Sequence, residues 1–129
     1  MKVRKAGIRD IVLADSLRLD VYKGETNLVP GFINFMQSGE CHALTTESGD
    51  LVGVVGGIVL WDGVADIAAI FTEAVHLEPI SLIRTTRAYI GEMMEKWKLH
   101  RVQMAVKWDY DAGHRWAKAI GFEFEGVLS

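Results

Sequence analysis

The spacing of apolar residues changes several times along the chain between the period of a helix and that of a strand, and this restricts the possible folds more than any other feature. In residues 11–21 the apolar residues recur at helical spacing, whereas in residues 101–108 they alternate with polar ones. Such a mixture favours an α/β or α+β protein. The 129 residues match the length of one domain, and we expect a single domain over residues 1–129.

Two consecutive hairpins are predicted in the middle of the chain. Residues 41–46 and 51–60 are apolar or β-branched runs separated by four residues with the chemistry of a turn. The Asp62-Gly63 pair is a strong hairpin dipeptide. It leads into residues 65–75, a run apolar enough to be a central strand covered on both faces.

Helices are predicted on either side of these hairpins. From Pro79 the apolar period is again helical, and we expect this helix to end near Lys98. Its buried stripe is predicted to consist of Ile83, Ile90, Met94 and Trp97. A strand at residues 101–108, a further helix closed by Gly121 and a last strand at residues 122–127 follow. The predicted order is β-α-α-β-β-β-α-β-α-β, with a mixed, mostly antiparallel sheet flanked by helices.

Charge and hydropathy argue against several classes of function. Fourteen basic and 17 acidic residues give a net charge of −3, so the chain lacks the positive field that attracts nucleic acid, and no nucleic-acid partner is expected. The longest uncharged apolar run, residues 51–61, is far shorter than the roughly 20 residues of a membrane span. The first residues resemble no secretory leader, and a cytoplasmic location is therefore the default expectation.

The cysteine and the histidines show no metal-binding spacing. Cys41 is the only cysteine, and a buried small residue on a strand is its expected role. No i, i+4 or C-x-x-C relationship links the histidines, and no metal site is expected at His42, His76, His100 and His114.

Tryptophans are more often packed in the core or at its rim, and an interface is the other role open to those of this chain. The chain has four tryptophans, a residue type enriched at interface hot spots. Trp61 lies next to a turn and is the most exposed candidate. A protein partner or self-association is therefore expected.

The predicted element order resembles that of the GNAT superfamily, the acyl-CoA-dependent N-acyltransferases. Residues 3–11 look like the opening strand and first helix of that family, and residues 114–123 are similar to its last helix, with the Gly121-Phe122 exit. The resemblance implies a GNAT-like α/β fold whose sheet splays between the strands at residues 65–75 and 101–108. It also implies that the C-terminal hairpin of the family is truncated to one strand.

The resemblance further implies where an acyl-CoA site would lie. By position, the residues that would bind the cofactor are Phe71, Thr72, His76, Arg84 and Arg87. Glu73, expected at the end of the central strand, is the candidate general base. Tyr110 is the candidate proton donor to the leaving thiolate.

Three departures from the family pattern accompany these residues. Where the family binds the cofactor pyrophosphate on backbone amides, residues 75–81 contain no glycine, Pro79 has no N–H and Glu78 adds negative charge. Ala117 occupies the position of the family's tyrosine, and Tyr110 that of its asparagine.

A narrower resemblance is to small GNAT-like proteins that tailed bacteriophages encode among their virion genes. It is carried by Phe71-Thr72-Glu73, Ile83-Arg84, Arg87, Met94-Glu95-Lys96 and residues 115–122. This resemblance implies a virion or accessory component of a phage.

Two functions remain open at this level. The first is a catalytically lapsed GNAT protein without cofactor, acting through protein contacts in the host cytoplasm or the virion. The second is an active N-acyltransferase that uses acetyl-CoA, with Glu73 removing a proton through water. In this second function His76, Arg84 and Arg87 would replace the glycine loop. The other role open to the two arginines is to lie on a solvated face of the helix and pair with acids such as Glu78. We prefer the first function because all three departures occur together.

Overall fold

The computed structural model describes residues 1–17, residues 29–104 and Lys118. Its elements are β1 (Lys2–Lys5), α1 (Ile8–Ser16), α2 (Val29–Ser38), β2 (Glu40–Thr45), β3 (Leu51–Trp61), β4 (Val64–Phe71), a 3-10 helix (Glu73–His76), α3 (Pro79–Lys96) and β5 (Arg101–Met104). The strands form one sheet in the order β1-β2-β3-β4-β5. The pairs are antiparallel except β4 with β5, which is parallel. The predicted α/β class and mixed, mostly antiparallel sheet are confirmed.

Helices cover both faces of the sheet. On one face, Ile11 of α1 and Phe32 of α2 are buried against Val54 and Ile70. On the other face, the buried residues of α3 pack against a second set of strand residues that includes Phe71. In the ranges that the structure describes, no helix is long and apolar enough to cross a membrane.

Both predicted hairpins are present, and glycine makes their turns possible. Gly49 has φ 97° between β2 and β3, and Gly63 has φ 78° between β3 and β4. A side chain at Gly63 is excluded for two reasons. The positive φ is unfavourable for residues with a Cβ, and a Cβ there would lie 2.3 Å from the ring of His100.

The predicted strand at residues 65–75 is wrong at its C-terminal end. β4 ends at Phe71, and a short 3-10 helix follows. The reason is Thr72, whose Oγ1 accepts a hydrogen bond from the amide of Ala74 at 3.2 Å and donates one to the carbonyl oxygen of Leu51 at 2.7 Å. This cap turns the chain out of the sheet two residues before Ala74.

The predicted buried stripe of the central helix is also largely wrong. The buried residues of α3 are Leu82, Thr86, Tyr89, Ile90 and Met93. Ile83, Met94 and Trp97 are only partly buried. The sheet determines this orientation, since Gly57 leaves space that the Met93 side chain occupies: a Cβ at Gly57 would lie 3.1 Å from Met93 Cε. The helix ends at Lys96, two residues before the predicted end at Lys98.

Several predicted features lie outside the described residues. These are the last turn of the first helix and everything predicted after Met104, including the helix closed by Gly121, the last strand and the truncated hairpin. The described pairing of β4 with β5 runs from Val64 and Arg101 to Ile67 and Met104. The predicted splay between these strands would begin beyond that point, and it stays a prediction.

Candidate functional site

The start of α3, where the family resemblance puts the pyrophosphate, offers few backbone amides. The amide of Ala74 donates to Thr72 Oγ1, that of Val75 to the carbonyl oxygen of Thr72, and that of Leu77 to the carbonyl oxygen of Ala74. The first residue of the helix is Pro79, which has no N–H. The amide of Leu82 donates to the carbonyl oxygen of Glu78, so Ile80 and Ser81 are the residues of this first turn whose amides have no intrahelical acceptor.

Acidic groups surround this helix start. Glu78 is the N-cap residue and makes no side-chain capping hydrogen bond. Its Oε1 lies 3.9 Å from the amino group of Met1, which also contacts Glu47 Oε1 at 3.1 Å. The hydrogen bond from this ammonium group lowers the pKa of Glu47. The amino group thus lies between two carboxylates, and Lys2 Nζ lies 4.0 Å from Glu47 Oε2 at the same end of the sheet.

Two of the predicted cofactor-binding side chains are part of the packing of the fold. Phe71 is buried in the core on the α3 side, and a Cβ at Gly53 would lie 2.6 Å from its ring. Thr72 is also buried, and its hydroxyl is engaged at the end of β4. Their side chains therefore hold the junction between β4 and the 3-10 helix.

Glu73, the predicted base, does not lie at the end of a strand. It is the first residue of the 3-10 helix, and its exposed Oε2 lies 3.5 Å from Nε2 of the equally exposed His76. The two form an ion pair when the histidine is protonated. Tyr110, the predicted proton donor, lies outside the described residues.

Arg84 and Arg87 are exposed on α3, in its second and third turns. In the part of the chain that the structure describes, neither guanidinium makes an ion pair or a hydrogen bond with another side chain. The pairing with Glu78 that the sequence left open does not occur, because that carboxylate faces the amino group of Met1.

Asp66 is a candidate functional residue that the sequence analysis missed. It is the single charged residue of β4, and in the register it lies beside Gln103 of β5. Its carboxylate is half-buried, burial raises its pKa, and no described residue forms a hydrogen bond or ion pair with it. A lone carboxylate inside an otherwise apolar central strand was the sequence signal that could have found it.

A small apolar cavity lies near the place where the described pairing of β4 and β5 ends. Residues of β3, β4, β5 and α3 line it, among them Val55, Ile67, Ala69, Thr86, Tyr89 and Met104. The two hydroxyl groups are already engaged, that of Thr86 with the carbonyl oxygen of Leu82 and that of Tyr89 with His42. The cavity therefore offers an apolar wall and few free polar groups.

A polar cluster joins β2 to α3 on the same face of the sheet. His42 Nδ1 and Tyr89 Oη are hydrogen-bonded at 3.1 Å, and Glu40 Oε2 lies 4.0 Å from the same nitrogen. Lys96 forms an ion pair with Glu40. Burial lowers the pKa of His42 and raises that of Tyr89. With every member paired, this cluster connects the sheet to the helix.

Cys41 is buried, and burial raises the pKa of its thiol to about 11. At neutral pH it is therefore protonated and a weak nucleophile. No group of three His, Cys, Asp or Glu side chains in residues 1–17 and 29–104 could hold a metal ion.

No family model and no curated protein matches the chain in sequence. Solved structures do match it in three dimensions. A variant of the spermidine N-acetyltransferase SpeG from Vibrio cholerae matches with a TM-score of 0.72 and 13% identity, over 98% of this chain and 82% of that one. A GNAT-family acetyltransferase from Bacillus anthracis matches with 0.70 and 16%, over 96% and 80%. The chain has the GNAT fold.

A third GNAT structure is that of a phosphinothricin acetyltransferase from Sinorhizobium meliloti in complex with acetyl-CoA. It matches with a TM-score of 0.69 and 14% identity, over 97% of this chain and 76% of that one. At such identities the similarity establishes the GNAT fold and nothing about substrate or cofactor. The resemblance inferred from the sequence is thus confirmed for the fold.

Proposed function

We propose that this GNAT-fold protein does not bind acyl-CoA and acts through protein contacts. The observation that carries the proposal is the start of α3, where a GNAT enzyme would bind the cofactor pyrophosphate. The amides of Ala74, Val75 and Leu77 are engaged within the chain, and Pro79 supplies none. A diphosphate needs several convergent amides, and too few remain here.

The charge at this position opposes an anion as well. A carboxylate such as that of Glu78, about 6 Å from a phosphate, costs about 3 kcal/mol per unit charge at an effective dielectric constant of about 20. The amino group of Met1 offsets part of that charge. Arg84 lies about 7 Å along the helix axis from Pro79, so the exposed arginines are beyond the first turn.

Exposed apolar side chains support the proposed protein contacts. On α1, Ile8, Val12 and Leu13 are exposed although the helix is only nine residues long, and Trp61 is exposed at the β3–β4 turn. Ile8 and Val12 lie one helical turn apart, and contiguous exposed apolar side chains of this kind are typical of interaction sites. The resemblance to phage proteins alone supports the narrower part of the proposal, a virion or accessory role in a virion or host cytoplasm.

Asp66 favours a second candidate function, an active N-acyltransferase. A half-buried carboxylate with a raised pKa and no partner among the described residues is suited to general-base catalysis. It would accept the proton of an acceptor amine while the nitrogen attacks the acetyl carbonyl of acetyl-CoA and the thiolate leaves. His76, Arg84 and Arg87 are the exposed cationic groups available for the phosphates.

A thermal-unfolding titration with acetyl-CoA separates the two functions. We expect no change in Tm, whereas a ligand at 100 times its Kd would add about 2.7 kcal/mol to the free energy of unfolding. The double variant E78G/P79G should gain affinity for acetyl-CoA, because it removes the carboxylate and restores an amide. Glu92→Gln, with the same charge change on the exposed side of α3, is the matched control and should behave as the wild type.

A clear rise in the Tm of the wild-type protein would overturn the proposal. In that case the second candidate predicts transfer of acetyl groups to amines, and Asp66→Asn should abolish the transfer without abolishing the shift in Tm. Unchanged cofactor affinity in E78G/P79G would contradict the physical reason given for the missing cofactor site.

A further inference from the structure

β3 extends beyond the end of β2, so part of its edge has no neighbouring strand. Glu40, the first residue of β2, pairs with Gly57, and Ile58, Val59 and Trp61 pair on their other side with β4. Gly39 fixes this end point, because a Cβ there would lie 2.1 Å from the carbonyl oxygen of Gly57. The chain passes into α2 at Gly39, and no strand of the described sheet pairs with residues 58–61 on the β2 side.

The backbone of Val59 faces this open side. The amide of Thr72 donates to the carbonyl oxygen of Val52 at 2.9 Å, so the backbone groups of Val52 face β4. Neighbouring residues of a strand point their N–H and C=O groups to opposite sides, and the register with β4 is regular from Gly53 to Val59. The N–H and C=O of Val59 therefore lie on the open edge.

The side chains of this segment are apolar, and those of residues 59–61 are exposed. The exposed fractions are 41% for Val59, 41% for Leu60 and 61% for Trp61. The register shift between Val59 and Trp61 leaves Leu60 without a partner residue in β4. Residues 58–61 include no charged side chain. An open strand edge with these properties favours the addition of another strand.

The outer edge of β1, on the same side of the sheet, shows the opposite design. β1 is the edge strand there, and three of its four residues are exposed cations: Lys2, Arg4 and Lys5. Charged side chains on an edge strand prevent pairing with a further strand. On this side of the described sheet, β1 is thus protected against pairing, whereas residues 58–61 of β3 are not.

We propose that residues 58–61 pair with the same segment of a second copy as antiparallel strands. A two-fold axis at Val59 places the two Val59 residues opposite each other, and each N–H donates to the carbonyl oxygen of the other. The uncharged segment is complementary to itself, because no like charges come to lie opposite one another. The same pairing of β1 would bring its cations together.

The contact is small, and this determines its strength. Three partly exposed side chains and a few backbone groups bury far less than the roughly 800 Å² per partner of a stable complex. The dimer is therefore weak and reversible, with a Kd on the order of 0.1–1 mM. A second copy of the chain would be one partner in the protein contacts proposed above. The biological role of this dimer rests on the proposed function, but its formation does not. Cofactor titration and self-association are separate measurements, so either can fail alone.

Sedimentation velocity of the full chain tests the pairing over about 10 µM to 1 mM protein. We expect the weight-average mass to rise with concentration for the wild type and to remain monomeric for Val59→Lys and Trp61→Lys. Leu77→Lys, after the 3-10 helix, is the matched control, because Leu77 is 63% exposed and the charge change is the same. This control should associate as the wild type does.

Val59→Pro tests the backbone hydrogen bonds. It removes the N–H on the open edge and no hydrogen bond to β4, and we expect association to be lost. If Val59→Pro does not fold, Val59→Lys and Trp61→Lys still test the pairing, because the side chains at both positions are exposed. A wild-type protein that stays monomeric to 1 mM overturns the proposal, as does equal association of the wild type and Val59→Lys or an equal loss in Leu77→Lys.

Discussion

Gly39 shows how a single residue fixes the junction between α2 and the sheet. Because the carbonyl oxygen of Gly57 occupies the space of a side chain, Gly39→Ala forces the backbone of β3 or β2 to move. We expect it to lower the free energy of unfolding by about 1–3 kcal/mol, as measured by urea denaturation.

Gly31 is the matched control for this substitution. It lies in the exposed part of α2, and a Cβ there meets nothing within 4 Å. Gly31→Ala should raise the free energy of unfolding by about 0.5–1 kcal/mol, because alanine favours the helix. If both variants lose stability equally, the contact with Gly57 is not the cause.

Glu73 and Asp66 show which features of a site an apolar pattern contains and which it does not. The pattern predicts a central strand that continues to Val75, and Glu73 is a candidate base for that reason. The hydroxyl of Thr72 ends the strand earlier, and no periodicity of apolar residues reveals such a cap. Asp66, in contrast, interrupts the apolar run visibly, and the burial that raises its pKa emerges only when β5 and the helices are in place.

At the scale of elements, Thr72 connects β3, β4 and the 3-10 helix. Thr72→Val keeps the shape of the side chain and leaves the carbonyl oxygen of Leu51 and the amide of Ala74 without this partner. We expect a loss of about 1–3 kcal/mol in the free energy of unfolding. Thr72→Ser retains the hydroxyl and should lose about 1 kcal/mol or less, the value of one buried methyl group.

Thr86→Val is the matched control for the hydroxyl of a buried threonine. The hydroxyl of Thr86 bonds the carbonyl oxygen of Leu82 within the same helix, so its removal disconnects no other element. Thermal and urea unfolding of the three variants measure the difference. A cost of Thr86→Val as large as that of Thr72→Val would contradict the connecting role of Thr72.

Elements differed in how well the sequence predicted them. The two hairpins were predictable because local chemistry determines them, as the positive φ of Gly63 in the Asp62-Gly63 turn shows. The buried face of α3 was not, because the space above Gly57 selects Met93 over its neighbour Met94. Local signals thus predicted the elements, and contacts between distant residues determined their orientation.

At the scale of the whole molecule, His42 couples the sheet to α3. Burial is the largest influence on this histidine and lowers its pKa, and Lys5 and Lys96 act in the same direction. Glu40 and Glu92 act in the opposite direction. Tyr89 is its hydrogen-bond partner on the helix.

The lowered pKa makes the stability of the protein depend on pH. In the unfolded chain His42 binds a proton near pH 6.5, whereas in the folded protein it stays neutral to a lower pH. The contribution of neutral His42 to the free energy of unfolding is therefore fully present above pH 6.5 and is lost as pH falls through the folded pKa. We expect His42→Gln to lose less stability than the wild type between pH 7 and pH 5. Urea denaturation at several pH values measures the slope.

His76→Gln is the control for this dependence on pH. His76 is exposed in the 3-10 helix and pairs only with Glu73 among the described residues. Its variant should keep the steeper slope of the wild type. Equal slopes for the wild type and His42→Gln would show that the contact between β2 and α3 is insensitive to protonation.

The register of β1 has a consequence for synthesis on the ribosome. Lys2 pairs with Thr45, so the first strand emerges well before the strand that receives it, with α1 and α2 between them. A nascent chain waiting in this state exposes its unpaired strand to other nascent chains. The cationic side chains of β1 that prevent pairing in the folded sheet also keep this unpaired strand hydrated during synthesis. Replacing them with threonine or valine should therefore increase aggregation during translation.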